Sequence, residues 1–111
     1  MTEVKMGIDE SIEKEIIRRI LSVATPDKII LFGSAAKGQM TIDSDIDLLI
    51  VEPDPGDRRK ASVRIDATLS GLGYPFDIIV ITSEWFEVSK NIIGGIAYPA
   101  NKYGRVIYEA A

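Results

Sequence analysis

Apolar and polar positions recur along this chain with two different periods, and each change of period marks the edge of an element. From Ile8 to Ala24, Ile12, Ile16, Ile17, Ile20 and Leu21 fall at helical spacing, while Glu13, Lys14, Arg18 and Arg19 take the opposite face. Asp9 or Ser11 offers a cap for this first helix, and Thr25-Pro26 ends it. Lys28 to Phe32 is a short apolar run of strand type that leads into a Gly33-Ser34 turn. Ala35 to Lys37 predicts a brief helical turn, and Gly38 to Ser44 a loop. From Asp45 to Val51 the period returns to two, with Ile46, Leu48 and Ile50 on one face of a second strand.

Glu52-Pro-Asp-Pro-Gly56 is turn chemistry that breaks that strand. A second helix is predicted over 57–72, packing through Ala61, Ile65, Thr68 and Leu69 and stopped by Gly71 and Gly73. Phe76 to Ile81 is a third strand, and Thr82 or Ser83 caps a third helix that starts at Glu84. Residues 92–103 read as helix interrupted near Gly94-Gly95 and Pro99, and Arg105 to Tyr108 as a short strand or packed tail. Trp85 and Phe86 read as core, and packing is also the expectation for Tyr98, Tyr103 and Tyr108. Arg58-Arg59-Lys60 reads as a solvated helix face. The fold expected is α/β, a small mixed sheet with helices mainly on one face, in a single domain over residues 1–111.

Connection lengths order the strands. A helical crossover between the second and third strands favours parallel pairing, and the shorter link from the first to the second favours antiparallel pairing. The starts of strands two and three and the end of strand one then meet at one edge. That edge carries Asp45, Asp47, Asp77 and the Gly33-Ser34 turn.

Composition narrows the chemistry available there. The chain holds neither cysteine nor histidine, so disulfides, thiolate metal sites and imidazole bases are excluded together. Catalysis falls to carboxylates, hydroxyls, Lys, Arg, Tyr or a bound metal. A net charge of −4 disfavours direct, non-specific binding to nucleic acid. No apolar run approaches the ~20 residues of a membrane span. Met1 to Gly7 lacks the apolar stretch of a secretory signal, so the expected location is cytoplasmic.

Within these limits the edge is suited to a nucleoside triphosphate. A Gly-Ser turn presents backbone N–H groups and a hydroxyl to phosphate. Asp45 and Asp47 point the same way, about 7 Å apart along a strand, and supply hard oxygen donors for magnesium. Two-metal sites space their ions ~3.5–4 Å apart, within the reach of such a pair, and Asp77 on the neighbouring strand completes a three-carboxylate centre. Three clustered carboxylates repel one another, and a divalent cation relieves that repulsion.

Gly33-Ser34-x-Ala36-Lys37-Gly38, then Ser44-Asp45-x-Asp47-Leu48, then Asp77 after a helix, resembles the DNA polymerase beta-like nucleotidyltransferase superfamily. The small size and the ending Gly104-x-x-Ile107-Tyr108 are similar to its minimal nucleotidyltransferase branch. The resemblance implies that Asp45, Asp47 and Asp77 are catalytic and bind two Mg2+ ions. It places Gly33, Ser34, Lys37 and Ser44 on the nucleotide, with ATP the expected donor. This sequence departs from the family pattern at Lys37, where arginine is usual, and at Ala35, often a basic position.

The function implied is transfer of a nucleoside monophosphate to a hydroxyl. A chain of this length has no room for the acceptor-gripping domain of larger relatives. A separate partner is therefore expected, and the minimal branch implies a small helical HEPN-type protein, adenylylated by this chain as antitoxin of a toxin–antitoxin pair. The competing reading is a binding module of little or no activity that neutralises a partner by contact. Homo-oligomerisation is left open.

Overall fold

The computed structural model describes residues 8–41 and 44–111. The Met1–Gly7 segment and positions 42 and 43 of the anticipated 38–44 loop lie outside the described residues. Among those described, the elements in chain order are α1 (Glu10–Leu21), β1 (Lys28–Phe32), β2 (Ile46–Glu52), α2 (Arg58–Thr68), β3 (Phe76–Thr82), α3 (Ser83–Ser89), α4 (Ala97–Tyr103) and β4 (Arg105–Glu109).

Local chemistry accounts for the boundaries. The Asp9 carboxylate accepts from Ile12 N at the start of α1, whose first turn is acidic and whose last turn carries Arg18 and Arg19. The helix stops at Leu21, three residues before the expected end, because Ser22 already turns its backbone N–H and hydroxyl back onto the Arg19 carbonyl. Asp57 caps α2 through the N–H groups of Arg59 and Lys60. That helix ends at Thr68, with Leu69 as its C-cap, so the anticipated extension to residue 72 is lost to glycine turns at Gly71 and Gly73, both with positive φ. Thr82 caps α3 by accepting from Trp85 N. Glu52, read from sequence as the first residue of a turn, is instead the buried last residue of β2, its carboxylate accepting from Thr25 N at 2.7 Å.

The strands form one mixed sheet in the order β3-β2-β1-β4. β1 is antiparallel to β2 and β2 is parallel to β3, as the connection lengths favour, and β1 also pairs antiparallel with β4. The Arg105–Tyr108 segment is thus a strand. A bulge in its pairing with β1 sets Ile29 opposite Tyr108 and Ile30 opposite Val106, leaving Ile107 as the extra residue.

Alternation along the strands separates two cores. One face carries Ile29, Leu31, Ile46, Leu48, Ile50 and Val80 beneath α1 and α2, which bring down Ile16, Ile20, Ala61 and Ile65. The other carries Ile30, Leu49, Val51 and Ile81 beneath α3 and α4, which supply Phe86, Ala97 and Ala100. The two long helices and the larger core do share one face. The opposite face is covered as well, by two seven-residue helices, which the expectation of helices mainly on one side understated. Arg19 ties α1 to the far end of α2, donating to the Thr68 and Ser70 carbonyls at 3.1 and 3.0 Å.

Candidate functional site

The candidate site forms where β1 ends and β2 and β3 begin. In the parallel ladder Asp47 is in register with Asp77, and on its other side Asp47 lies opposite Phe32, the last residue of β1. Register fixes parity, so Asp47 and Asp77 share the α3–α4 face of the sheet. Asp45 stands just before β2, not within it, and is exposed, as is Asp77. Ile46 N donates to the Pro75 carbonyl at 2.9 Å, which holds the two strand starts together between the aspartates.

Burial raises the Asp47 carboxyl above the usual aspartate range, and the charges of Asp77 and Asp45 add to that rise. Asp47 therefore senses both neighbouring carboxylates. Among the described residues, however, no three acidic side chains are drawn close enough to hold a metal ion as they stand.

Gly33 faces this cluster. Its φ is +71°, a left-handed conformation natural to glycine, and a Cβ at this position would lie 2.2 Å from Asp47 Oδ2. The chain then continues as a series of turns, with Gln39 N donating to the Ser34 carbonyl at 2.8 Å and Gly38 N to the Ala35 carbonyl at 3.3 Å. The expected helical turn at Ala35–Lys37 is not present, since these bonds have mixed spacing rather than a helical repeat. Ala35 is buried in the α1–α2 core with Met40 and Ile46. This position, often basic in the resembling family, here packs inward and offers no charge to a phosphate. Lys37 is exposed. Ser44 closes the following loop, its hydroxyl accepting from Thr41 N at 2.9 Å, so this residue shapes the approach to Asp45.

Two groups near this edge escaped the reading of the sequence. Tyr103, expected to pack, is 56% exposed at the end of α4, with Lys37 Nζ 5.9 Å and Lys102 Nζ 5.4 Å from its ring centre. Lys102 also donates to Tyr98 Oη at 3.2 Å, a bond that holds its ammonium above the ordinary lysine range, aided by the hydroxyl oxygen of Tyr103. Each residue taken alone carries no signal; the Leu31–Arg105 pairing that brings α4 back to Gly33 is long-range. Trp85, also expected in the core, is 55% exposed, whereas its neighbour Phe86 is fully buried. An open groove of about 680 Å³ between the end of α2 and Tyr74–Phe76 belongs to the other face and contains none of the candidate residues.

The sequence matches, over residues 12–98, the family described as nucleotidyltransferase domain. A comparison with curated proteins returned no match.

Proposed function

We propose, on the premise that this chain belongs to the nucleotidyltransferase domain family, that it transfers AMP from ATP to a hydroxyl carried by a separate protein. Nucleotidyl transfer as a reaction class follows from the family; the nucleotide, the metal and the acceptor are our reading. The observation that carries it is the parallel register of Asp47 with Asp77 at the strand edge where Gly33 abuts Asp47.

The donor set fits magnesium. Asp45, Asp47 and Asp77 offer only hard carboxylate oxygens, and their mutual repulsion at Asp47 is what a divalent cation removes. Asp45 and Asp47 would hold two ions, with Asp77 sharing the one nearer the acceptor. When bound, such ions neutralise the phosphates and lower the pKa of the attacking hydroxyl.

The chain's own groups position the reactants. The Gly33-Ser34 turn directs backbone N–H groups and a hydroxyl at the triphosphate, and the Lys37 ammonium adds charge there. Ser44 holds the loop that leads Asp45 to the nucleotide. The acceptor oxygen bonds to the α-phosphorus as the bond to the bridging oxygen breaks. Pyrophosphate leaves, and the hydroxyl proton passes to the exposed carboxylate of Asp77.

The acceptor we propose is a hydroxyl, a tyrosine among the candidates, on a small helical partner of the HEPN type, with this chain acting as antitoxin. The resemblance to the minimal branch supports this assignment. Incubation with labelled ATP, magnesium and such a partner is expected to label the partner, and Asp45→Asn to abolish the label. A binding module that neutralises its partner by contact is the second reading. It is favoured by the exposed apolar residues Trp85, Val88, Ile92 and Ile93 along and just after α3. Tight complex formation without transfer, unchanged in Asp45→Asn, would establish it instead.

A further inference from the structure

The end of β1 separates two groups of opposite charge. On its β2 side stand Asp47 and the carboxylates around it. On its β4 side, pairing of Leu31 with Arg105 sets Gly104 beside Phe32 and brings the C-terminal end of α4 to the Gly33–Gly38 turn. The approach is close, since a Cβ on Gly104 would meet Ala100 O at 2.3 Å, Ile30 Cγ2 at 2.8 Å and Leu31 O at 3.0 Å. α4 packs on the sheet face that also carries Asp47 and Asp77, so both charged groups open toward the same side.

Lys37 and Lys102 converge on the single ring of Tyr103. Among the described residues, neither forms an ion pair with a carboxylate, although the chain is acidic overall. Exposed cation–π contacts are individually weak, so these two ammonium groups keep most of their charge for a ligand. A polyanion that reached both would gain charge–charge attraction that the ring alone does not supply. Carboxylates on one side of a glycine turn and ammoniums on the other match a nucleotide whose α-phosphate lies by the aspartates and whose outer phosphates lie by the lysines.

We infer that Lys102 and Tyr103 form, with Lys37, a subsite for the terminal phosphates of the nucleotide. Lys102 contacts the phosphates directly. Tyr103 is a positioning residue: its ring lies beside both ammoniums. The orientation rests on the nucleotidyl-transfer reading, but the binding itself can be measured without acceptor, divalent metal or turnover.

The test is calorimetric titration of the full chain with sodium tripolyphosphate at low ionic strength in the presence of a chelator. Lys102→Gln is expected to weaken binding about tenfold, the effect of removing one charge-assisted contact. Tyr103→Leu is expected to weaken it similarly, and Tyr103→Phe to restore it. Lys60→Gln, on the exposed start of α2, is the control for net charge. Wild-type affinity in Lys102→Gln, an equal loss in Lys60→Gln, or no tripolyphosphate binding by the wild-type chain would each overturn the proposal. If Tyr103→Leu fails to fold, the surface variant Lys102→Gln decides the outcome. Loss of binding in Lys102→Gln sustains the subsite even where label transfer is never observed, and unchanged binding removes it even from an active enzyme.

Discussion

Gly33 and Asp47 occupy each other's space: a methyl group on Gly33 would stand 2.2 Å from Asp47 Oδ2. The turn at the end of β1 and the carboxylate on β2 are therefore one unit. Gly33→Ala is disfavoured twice, by the left-handed backbone at about 1–2 kcal/mol and by the collision itself. Chemical denaturation should show a loss of at least that size. Transfer activity should fall with it, because Asp47 must move to admit the methyl group. An alanine variant of wild-type stability and activity would refute the coupling.

Asp47→Asn separates stability from function. Asp47 is pushed toward its neutral form first by burial and then by Asp77 and Asp45, so its charge opposes folding when no cation is present. In chelator at neutral pH the asparagine variant should melt at or above the wild-type temperature. Added magnesium should stabilise the wild-type chain more than the variant, by the linkage that raises Tm for any ligand of the native state. Label transfer should be lost.

Phe86 and Trp85 are adjacent yet should respond oppositely to truncation. Phe86 is fully buried in the α3–α4 core, and Phe86→Ala should cost about 3–5 kcal/mol. Trp85 is largely exposed, so Trp85→Ala should change stability by under about 0.5 kcal/mol. If the contact reading of the protein holds, Trp85→Ala should instead weaken partner binding in a pull-down with the purified partner.

Glu15 governs acid sensitivity at the α1 surface. Hydrogen bonds from Arg18 and Arg19 hold its carboxyl down to about 2. Because the folded value lies below the ordinary one of 4.5, this group's contribution is present above pH 4.5 and is lost as pH falls toward 2. Glu15→Gln should therefore be less stable than wild type at pH 7, with the gap closing across that interval and shrinking in high salt. A gap that persists unchanged at pH 2 would assign the effect to packing.

Gly104→Ala tests the corner between α4 and β4. Its backbone φ of −81° suits any residue, so the cost is steric alone, against Ala100 O, Ile30 Cγ2 and Leu31 O. Overpacking of this kind costs about 1–3 kcal/mol. Because the strain falls where α4 meets β1, tripolyphosphate binding should weaken along with thermal stability.

Much of the frame was legible in the chain because its signals are local. The helical spacing of Ile12, Ile16 and Ile20, the alternation of Ile46, Leu48 and Ile50, and caps such as Asp57 and Thr82 depend on residues within a turn or two. Connection length added the parallel β2–β3 pairing, which brings the strand starts together, while the register of Asp47 with Asp77 came from the structure. Boundaries drifted where hydrogen-bond competition decides them, as at Ser22 and Leu69. Exposure was misread at Trp85 and Tyr103, because an aromatic side chain carries no mark of whether another element will cover it.

The sequence by itself determined the residue types at the edge, their spacing and the strand pairing that gathers them, since periodicity and loop length are properties of neighbouring residues. Only the tertiary structure decided that Ala35 is a core position, that the second sheet face is covered by α3 and α4, and that Lys102 and Tyr103 reach the Gly33–Gly38 turn. Those outcomes depend on contacts between segments far apart in the chain, such as Leu31 with Arg105. Packing geometry, not local pattern, brings such segments together.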